Sequence, residues 1–445
     1  MPFPMEQVST DVFACITEYL RMEDLCAMAR VSKAYHSAVQ PLLWTIIEMH
    51  RPGFHTQTAH KALRIEEATS RMTPPYDTGP RSESRCQSAQ KALIQGEKFL
   101  NVFSSDVTPG ERLVEERKKE LGALVRWLCL PTHFMAPNSM ARSFAHFVNL
   151  EHLEISCYWK PNSGLDESKV QLSGLQNLKT LKLRGYFPQE FVRWLLTEPD
   201  RIEELHLAVL DRPVGWSDSE NPVPENQKPD YLEEMTAEQE DVATRALACL
   251  TPETISRLVS LKTLHLCRPG VGIKSDQGMM YYPTSSDERI LMEWSALFRA
   301  TRKTLQHLIL DQRPVAEENT GDENSNKSYM RECANGPSYD RFVKIVLPEL
   351  LDSKACPDLR TIRLFGFERH DEGVDARYSR VNYPNRSVDV PGQLRARFPD
   401  ADVSDYAGRR LVMCHWSGEV ETCKFMDGGY YVPLLDRLAN VLIFE

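Results

Sequence analysis

A triplet of apolar residues at relative positions one, four and six recurs seven times along this chain of 445 residues. It reads Val125-Leu128-Leu130, Leu150-Leu153-Ile155, Leu178-Leu181-Leu183 and Ile202-Leu205-Leu207, then Leu261-Leu264-Leu266, Leu305-Leu308-Leu310 and Leu359-Ile362-Leu364. The first four triplets begin 25, 28 and 24 residues apart. A period of that size holds one strand and one return segment, too little to bury its own apolar face, so such units are stable only when stacked on neighbours. The last three begin 59, 44 and 54 residues after their predecessors, and the surplus falls in residues 211–241 and 313–338, both rich in acid, Pro, Asn and Ser. These read as long polar surface insertions between units.

Between the triplets lie stretches with apolar residues on one helical face. Residues 190–198 carry Phe191, Trp194 and Leu195. Residues 287–303 carry Ile290, Leu291, Trp294, Leu297 and Phe298, and residues 340–353 carry Phe342, Ile345, Val346 and Leu350. They are predicted to pack as return helices against the strand layer. With its LxxLxL triplets, the chain resembles the leucine-rich-repeat proteins, which implies an α/β solenoid of parallel strands with return helices. Side chains alternate along a strand, so positions three, five and seven of each unit should point away from positions four and six. That outward face should carry Trp127, His152, Glu154, Lys182, Arg184, Glu204, His206, His265, Ile309, Asp311, Arg363 and Phe365. Aromatic tips and both signs of charge on one surface suit a protein or peptide partner.

The chain begins differently. In residues 10–20, Val12, Phe13, Ile16, Tyr19 and Leu20 fall on one helical stripe, with Ser9 or Thr10 placed to cap it. Asp24 marks a second helix start ahead of Leu25, Met28, Val31 and Tyr35, and Pro41 opens a third element with Leu42, Leu43, Trp44, Ile46 and Ile47. Three short helices in so few residues rarely close a core alone, so part of this apolar surface should meet something else. Ile16, Leu20, Asp24-Leu25, Val31-Ser32-Lys33, Tyr35 and Pro41-Leu42-Leu43-Trp44 follow one another in the order and spacing of an F-box. The segment resembles that module, although Val8-Ser9 stands where the family usually has Leu-Pro. The resemblance implies a receptor that binds the adaptor subunit of an SCF-type cullin-RING ubiquitin ligase. Its adaptor contacts would come from Val8, Val12, Phe13, Ile16, Leu20, Leu25, Met28, Val31, Leu43 and Trp44.

Composition narrows the classes of function. The formal net charge is −10, which favours neither nucleic acid nor an anionic membrane as partner. No run approaches the ~18 apolar residues that a membrane span needs, and the first residues lack a basic stretch, so a cytoplasmic or nuclear setting is expected. The 11 cysteines are scattered, which fits buried thiols in a reducing compartment better than a disulfide frame or a zinc knuckle. No P-loop, no G-x-G-x-x-G after a strand, no H-E-x-x-H and no G-x-S-x-G occurs. His206 and His265 share one position in two units. The neighbouring positions hold Lys182 and Ile309, poor metal ligands, so no metal and no cofactor is expected.

The expected organisation is therefore an F-box over residues 1–50, a helical linker over 51–110, and a leucine-rich-repeat-like solenoid over 111–367. Residues 368–445 would form a terminal cap. The expected role is a non-catalytic receptor that holds a target protein on the solenoid and the adaptor, with its cullin, on the F-box. The alternatives are an F-box scaffold without a degradation role, and an enzyme with a cleft between the repeats and the segment after Phe367.

Overall fold

The computed structural model describes residues 10–17, 19–20, 22–49, 83–104, 112–133, 135–158, 173–212, 245–246, 249–267, 274–275, 278–279, 284–311, 337–352, 356–365, 367, 385 and 388–406. Its strands, in chain order, are β1 (Ile46–Glu48), β2 (Trp127–His133), β3 (His152–Tyr158), β4 (Thr180–Tyr186), β5 (Glu204–Arg212), β6 (Arg245–Ala246), β7 (Thr263–Cys267), β8 (Lys274–Ser275), β9 (Gly278–Met279), β10 (His307–Asp311), β11 (Thr361–Phe365) and β12 (Asp402–Tyr406). Nine of them form a parallel sheet in the order β1-β2-β3-β4-β5-β7-β10-β11-β12, so that each strand lies beside the next sheet strand of the chain. Strand β6 pairs antiparallel with the end of β5, and β8 pairs with β9 apart from the main sheet. This forward march without reversal is a solenoid-like α/β arrangement.

The helices are α1 (Thr10–Thr17), α2 (Met22–Ala29), α3 (Lys33–Thr45), α4 (Glu83–Ser104), α5 (Arg112–Leu124), α6 (Pro137–Phe144), α7 (Gln189–Leu195), α8 (Pro252–Ser256), α9 (Thr284–Thr301), α10 (Pro337–Ile345), α11 (Leu347–Leu351) and α12 (Val390–Arg397). All seven sequence triplets are buried. They share one continuous apolar core with Phe144 of α6, Phe191 and Trp194 of α7, Leu297 and Phe298 of α9, Phe342 of α10 and Leu394 of α12. Position four of each unit stands beside position four of the next, as Leu128, Leu153, Leu181, Leu205, Leu264, Leu308 and Ile362 show. Among the described residues no helix is long and apolar enough to cross a membrane.

One hydrogen-bond arrangement recurs where each strand begins. The carbonyl of Arg126 accepts from the N–H groups of Glu151 and His152 at 2.8 and 3.0 Å, and the carbonyls of Glu151, Lys179, Glu203, Lys262 and Gln306 do the same for the next unit. Side chains reinforce the stagger. Asn149 Nδ2 donates to the Ala123 carbonyl at 2.7 Å, and Asn177 Nδ2 donates to the Val148 carbonyl at 2.9 Å. Asn177 Oδ1 accepts in turn from Arg201 at 3.0 Å. Replacing Asn177 by alanine should lower unfolding free energy by about 1 kcal/mol, read from the urea midpoint, because it removes the bonds to the Val148 carbonyl and Arg201. Exposed ion pairs of alternating sign, Arg126 with Glu151, Lys179 with Glu151 and Lys262 with Glu203, follow the same edge. Pairs so exposed contribute little each.

Several sequence expectations change. The second and third helices divide at residues 30–32, not at Pro41, because Ser32 caps α3 by accepting from the Tyr35 N–H at 3.2 Å. Pro41 lies inside α3 and Asp24 inside α2. The expected linker ends in α4, whose Leu100 and Phe103 belong to the common core, so its C-terminal part is a packed layer and not a spacer. The helix expected over residues 340–353 is split into α10 and α11, with Pro348 in the first turn of α11. The expected cap segment contains α12 and a further parallel strand, β12. Of the two insertions, Asp211 and Arg212 finish β5 and Pro337 and Ser338 begin α10. Residues 213–241 and 313–336 lie outside the described residues.

Candidate interaction surfaces

Two surfaces carry the residues singled out in the sequence. The first is the N-terminal helical module. Its α2 and α3 pack on each other, with Leu25 and Val39 buried at their contact layer. The outside of the module stays apolar. Tyr19 is 87% exposed, Val31 70% and Val12 51%, and Ile16, Leu42 and Ile46 are exposed as well. Phe13, Leu20, Met28, Leu43 and Trp44 are half-buried. Val8 lies outside the described residues. Leu25, expected at the partner contact, is 6% exposed and serves the module's interior instead. The exposed large apolar side chains make the outside of the module a candidate contact surface.

Trp44 faces the other way. Its ring lies 6.2 Å from Phe99 and 6.3 Å from Phe103, both on α4, and those two rings meet Phe147 at 5.8 and 4.8 Å. It packs against the common core together with Ile47 and Met49.

The second surface is the outward face of the sheet. Register places Cys129, Glu154, Lys182, His206, His265, Ile309, Arg363 and Ser404 in one row across the strands. A parallel row holds Trp127, His152, Thr180, Glu204, Thr263, His307, Thr361 and Asp402. Arg184, Asp311 and Phe365 hold the next alternate position along their strands. Strand register sets the other nine residues expected on this face in the two adjacent rows. Cys129, Thr180, Thr263, His307, Thr361, Asp402 and Ser404 stand in the same two rows and were not expected there, the last two because β12 carries no apolar triplet.

Several side chains of this face stack or pair with one another. The Trp127 and His152 rings stack at 3.4 Å with an angle of 7°, and the His206 and His265 rings stack at 3.7 Å with an angle of 22°. His152 Nε2 stands 3.8 Å from Glu154 Oε2, beyond hydrogen-bond length. Lys182 Nζ meets Glu204 at 2.8 Å, and Arg363 meets Asp402 at 2.6 Å and donates to its carbonyl at 2.9 Å. His307 Nδ1 and Thr361 Oγ1 lie 2.9 Å apart. Burial, with help from Lys182, pushes the His152 imidazole below its ordinary range. Burial, Arg360 and Arg363 do the same to His307. The bonded guanidinium of Arg363 holds the Asp402 carboxyl low. The face is less open than alternation alone implies, since His152, Glu154 and His206 are buried while Trp127, Lys182, Glu204, His265, Ile309 and Arg363 are half-buried.

Chemically this is a surface of stacked rings and internally compensated ion pairs. Among the described residues, no group of three His, Cys, Asp or Glu is placed to hold a metal ion. Comparison with known proteins finds no matching family model and no curated relative.

Proposed function

We propose that this chain is a substrate-receptor subunit of an SCF-type cullin-RING ubiquitin ligase, docking an adaptor on its N-terminal module and a target protein on the outward face of the sheet. One observation carries the reading: the module leaves each of Val12, Ile16, Tyr19 and Val31 exposed, on a segment whose order of residues resembles an F-box. The outward face supports the second half. Its rings and paired charges offer stacking and hydrogen-bonding contacts with little net field, which suits a folded protein or a peptide better than a polyanion. In this role the chain supplies proximity, and no side chain of its own enters the bond-making step.

The test is co-purification of the full-length chain with adaptor and cullin, beside Leu20→Asp and Val31→Asp variants. Recovery of both partners is expected for the parent chain. Val31→Asp should lose capture by about tenfold or more, since a buried, unpaired carboxylate at such a contact is costly. Equal recovery of both variants, with circular dichroism unchanged, would remove the adaptor assignment. Point variants serve better than deletion of residues 1–50, because that deletion also removes β1 and Trp44 from the repeat core.

A further inference from the structure

We infer that Trp44 is a positioning residue that locks the N-terminal module to the sheet, and that it is not part of the adaptor contact. This rests on the adaptor-docking reading of the module and assigns one of its residues a different task. The backbone supplies the first observation. Helix α3 ends at Thr45 and β1 begins at Ile46 with no residue between them. The Arg126 N–H donates to the Thr45 carbonyl at 3.0 Å, and the Met49 N–H donates to the Cys129 carbonyl at 2.9 Å. Ile47 stands beside Leu128 in the parallel register.

That register makes Trp44, Ile47 and Met49 positions one, four and six of an additional unit at the head of the array. Each packs against the common core, as the corresponding residues of the other units do. The last turn of the module's third helix is thus also the start of the first repeat.

The rings supply the second observation. From Trp44 a run of aromatic contacts passes through Phe99 and Phe103 to Phe147, then to Phe144 at 5.7 Å and on to Phe191 at 5.6 Å. It connects the module to α4, α6 and α7 through side chains of which Phe103, Phe147, Phe144 and Phe191 are buried. A helix whose final turn is held both by strand pairing and by interlocked rings has no hinge at this point. The direction from the adaptor surface to the target surface is then set by the fold.

The experiment uses the full-length chain with spectroscopic labels introduced as non-natural amino acids at exposed His36 and exposed Val259. Pulsed electron-spin distance measurement runs alongside titration of purified adaptor. The parent chain should give one narrow distance distribution. Trp44→Ala should broaden it about twofold or more while adaptor affinity stays within about threefold, and Trp44→Phe should restore the narrow distribution. A Gly-Ser-Gly insertion between Thr45 and Ile46 should broaden it without touching any ring. Loss of adaptor affinity in Trp44→Ala with the distribution unchanged would make Trp44 an adaptor contact and overturn the inference. So would an unchanged distribution with unchanged affinity, or the loss of both without recovery in Trp44→Phe. If the parent chain does not bind adaptor at all, the receptor reading fails, while the distance distributions still decide whether Trp44 holds module and sheet together.

Discussion

Truncating Phe191 to alanine should lower the unfolding free energy by about 4 kcal/mol, one of the largest losses open to a single side chain here. Phe191 lies on the first turn of α7 and is fully buried. Its ring meets Phe144 at 5.6 Å, Phe187 at 6.2 Å and Trp194 at 5.7 Å. Phe144 lies on α6, between β2 and β3, so the contact joins two return helices across the unit that begins at Leu150. In a stacked array units are stabilised largely through contacts with one another. A cavity at this place therefore weakens two units at once, and the surrounding helices cannot close it without moving on the sheet. Urea unfolding followed by far-ultraviolet circular dichroism would measure the loss, with exposed Val148→Ala as the control expected to change little. A cost below about 1 kcal/mol would mean that the array repacks around the gap, contrary to a close-packed interior.

The core was legible because one physical rule repeats. A residue at position one, four or six must leave water in every unit, and each of the seven triplets does so. The two ends were not legible, and for a related reason. In the first unit the triplet is Trp44-Ile47-Met49, and its indole had already been claimed by the F-box-like pattern. In the last unit, register puts Val403 beside Ile362 and Asp405 beside Leu364. A carboxylate stands where the third apolar residue would be, and it is paired with Arg395 of α12. End units face a neighbour on one side only, so the apolar requirement relaxes there and the pattern fades. On the outward face, alternation was enough to name the row, because the period of a strand is two whatever the residue. Alternation says nothing about how far neighbouring side chains shelter one another, and the burial of Glu154 and His206 therefore escaped it. In the module the stripe located the helices, yet it could not separate Leu25, which faces α3, from Val31, which faces water. That separation depends on the packing of α2 on α3, and sequence spacing does not determine it.

Replacing Glu293 by glutamine should abolish a pH dependence of stability between about pH 5 and pH 8, leaving the variant more stable than the parent at the upper end. Glu293 lies on α9, and its carboxylate accepts hydrogen bonds from the backbone N–H groups of Leu250 and Cys249. These residues stand just ahead of Thr251, whose hydroxyl caps α8 by accepting from the Thr254 N–H at 3.2 Å. Burial of the carboxyl outweighs the two N–H bonds and the attraction of Arg193, raising its pKa from the usual 4.5 to about 8. The unfolded chain therefore gives up this proton near pH 4.5, whereas the folded chain keeps it to about pH 8. Between those values the folded state binds the extra proton, so stability falls as pH rises and levels off above the folded value. A shift of this size corresponds to several kcal/mol at full effect, but the side chain as a whole keeps some exposure, so a fall on the order of 2 kcal/mol is the reasonable expectation. Glutamine keeps a carbonyl oxygen to accept from Leu250 and has no proton to lose in this range. His152 titrates with the opposite sign: burial lowers its pKa, so it costs stability as pH falls below its ordinary range, and it is common to both proteins. Denaturant unfolding of parent and Glu293→Gln at pH 5.5 and pH 8.5 separates the two contributions, because only the difference between the proteins reports Glu293. Parallel pH profiles would show that the carboxyl is already ionised in the folded state, and that the Leu250 turn is held by a charged acceptor exposed to water.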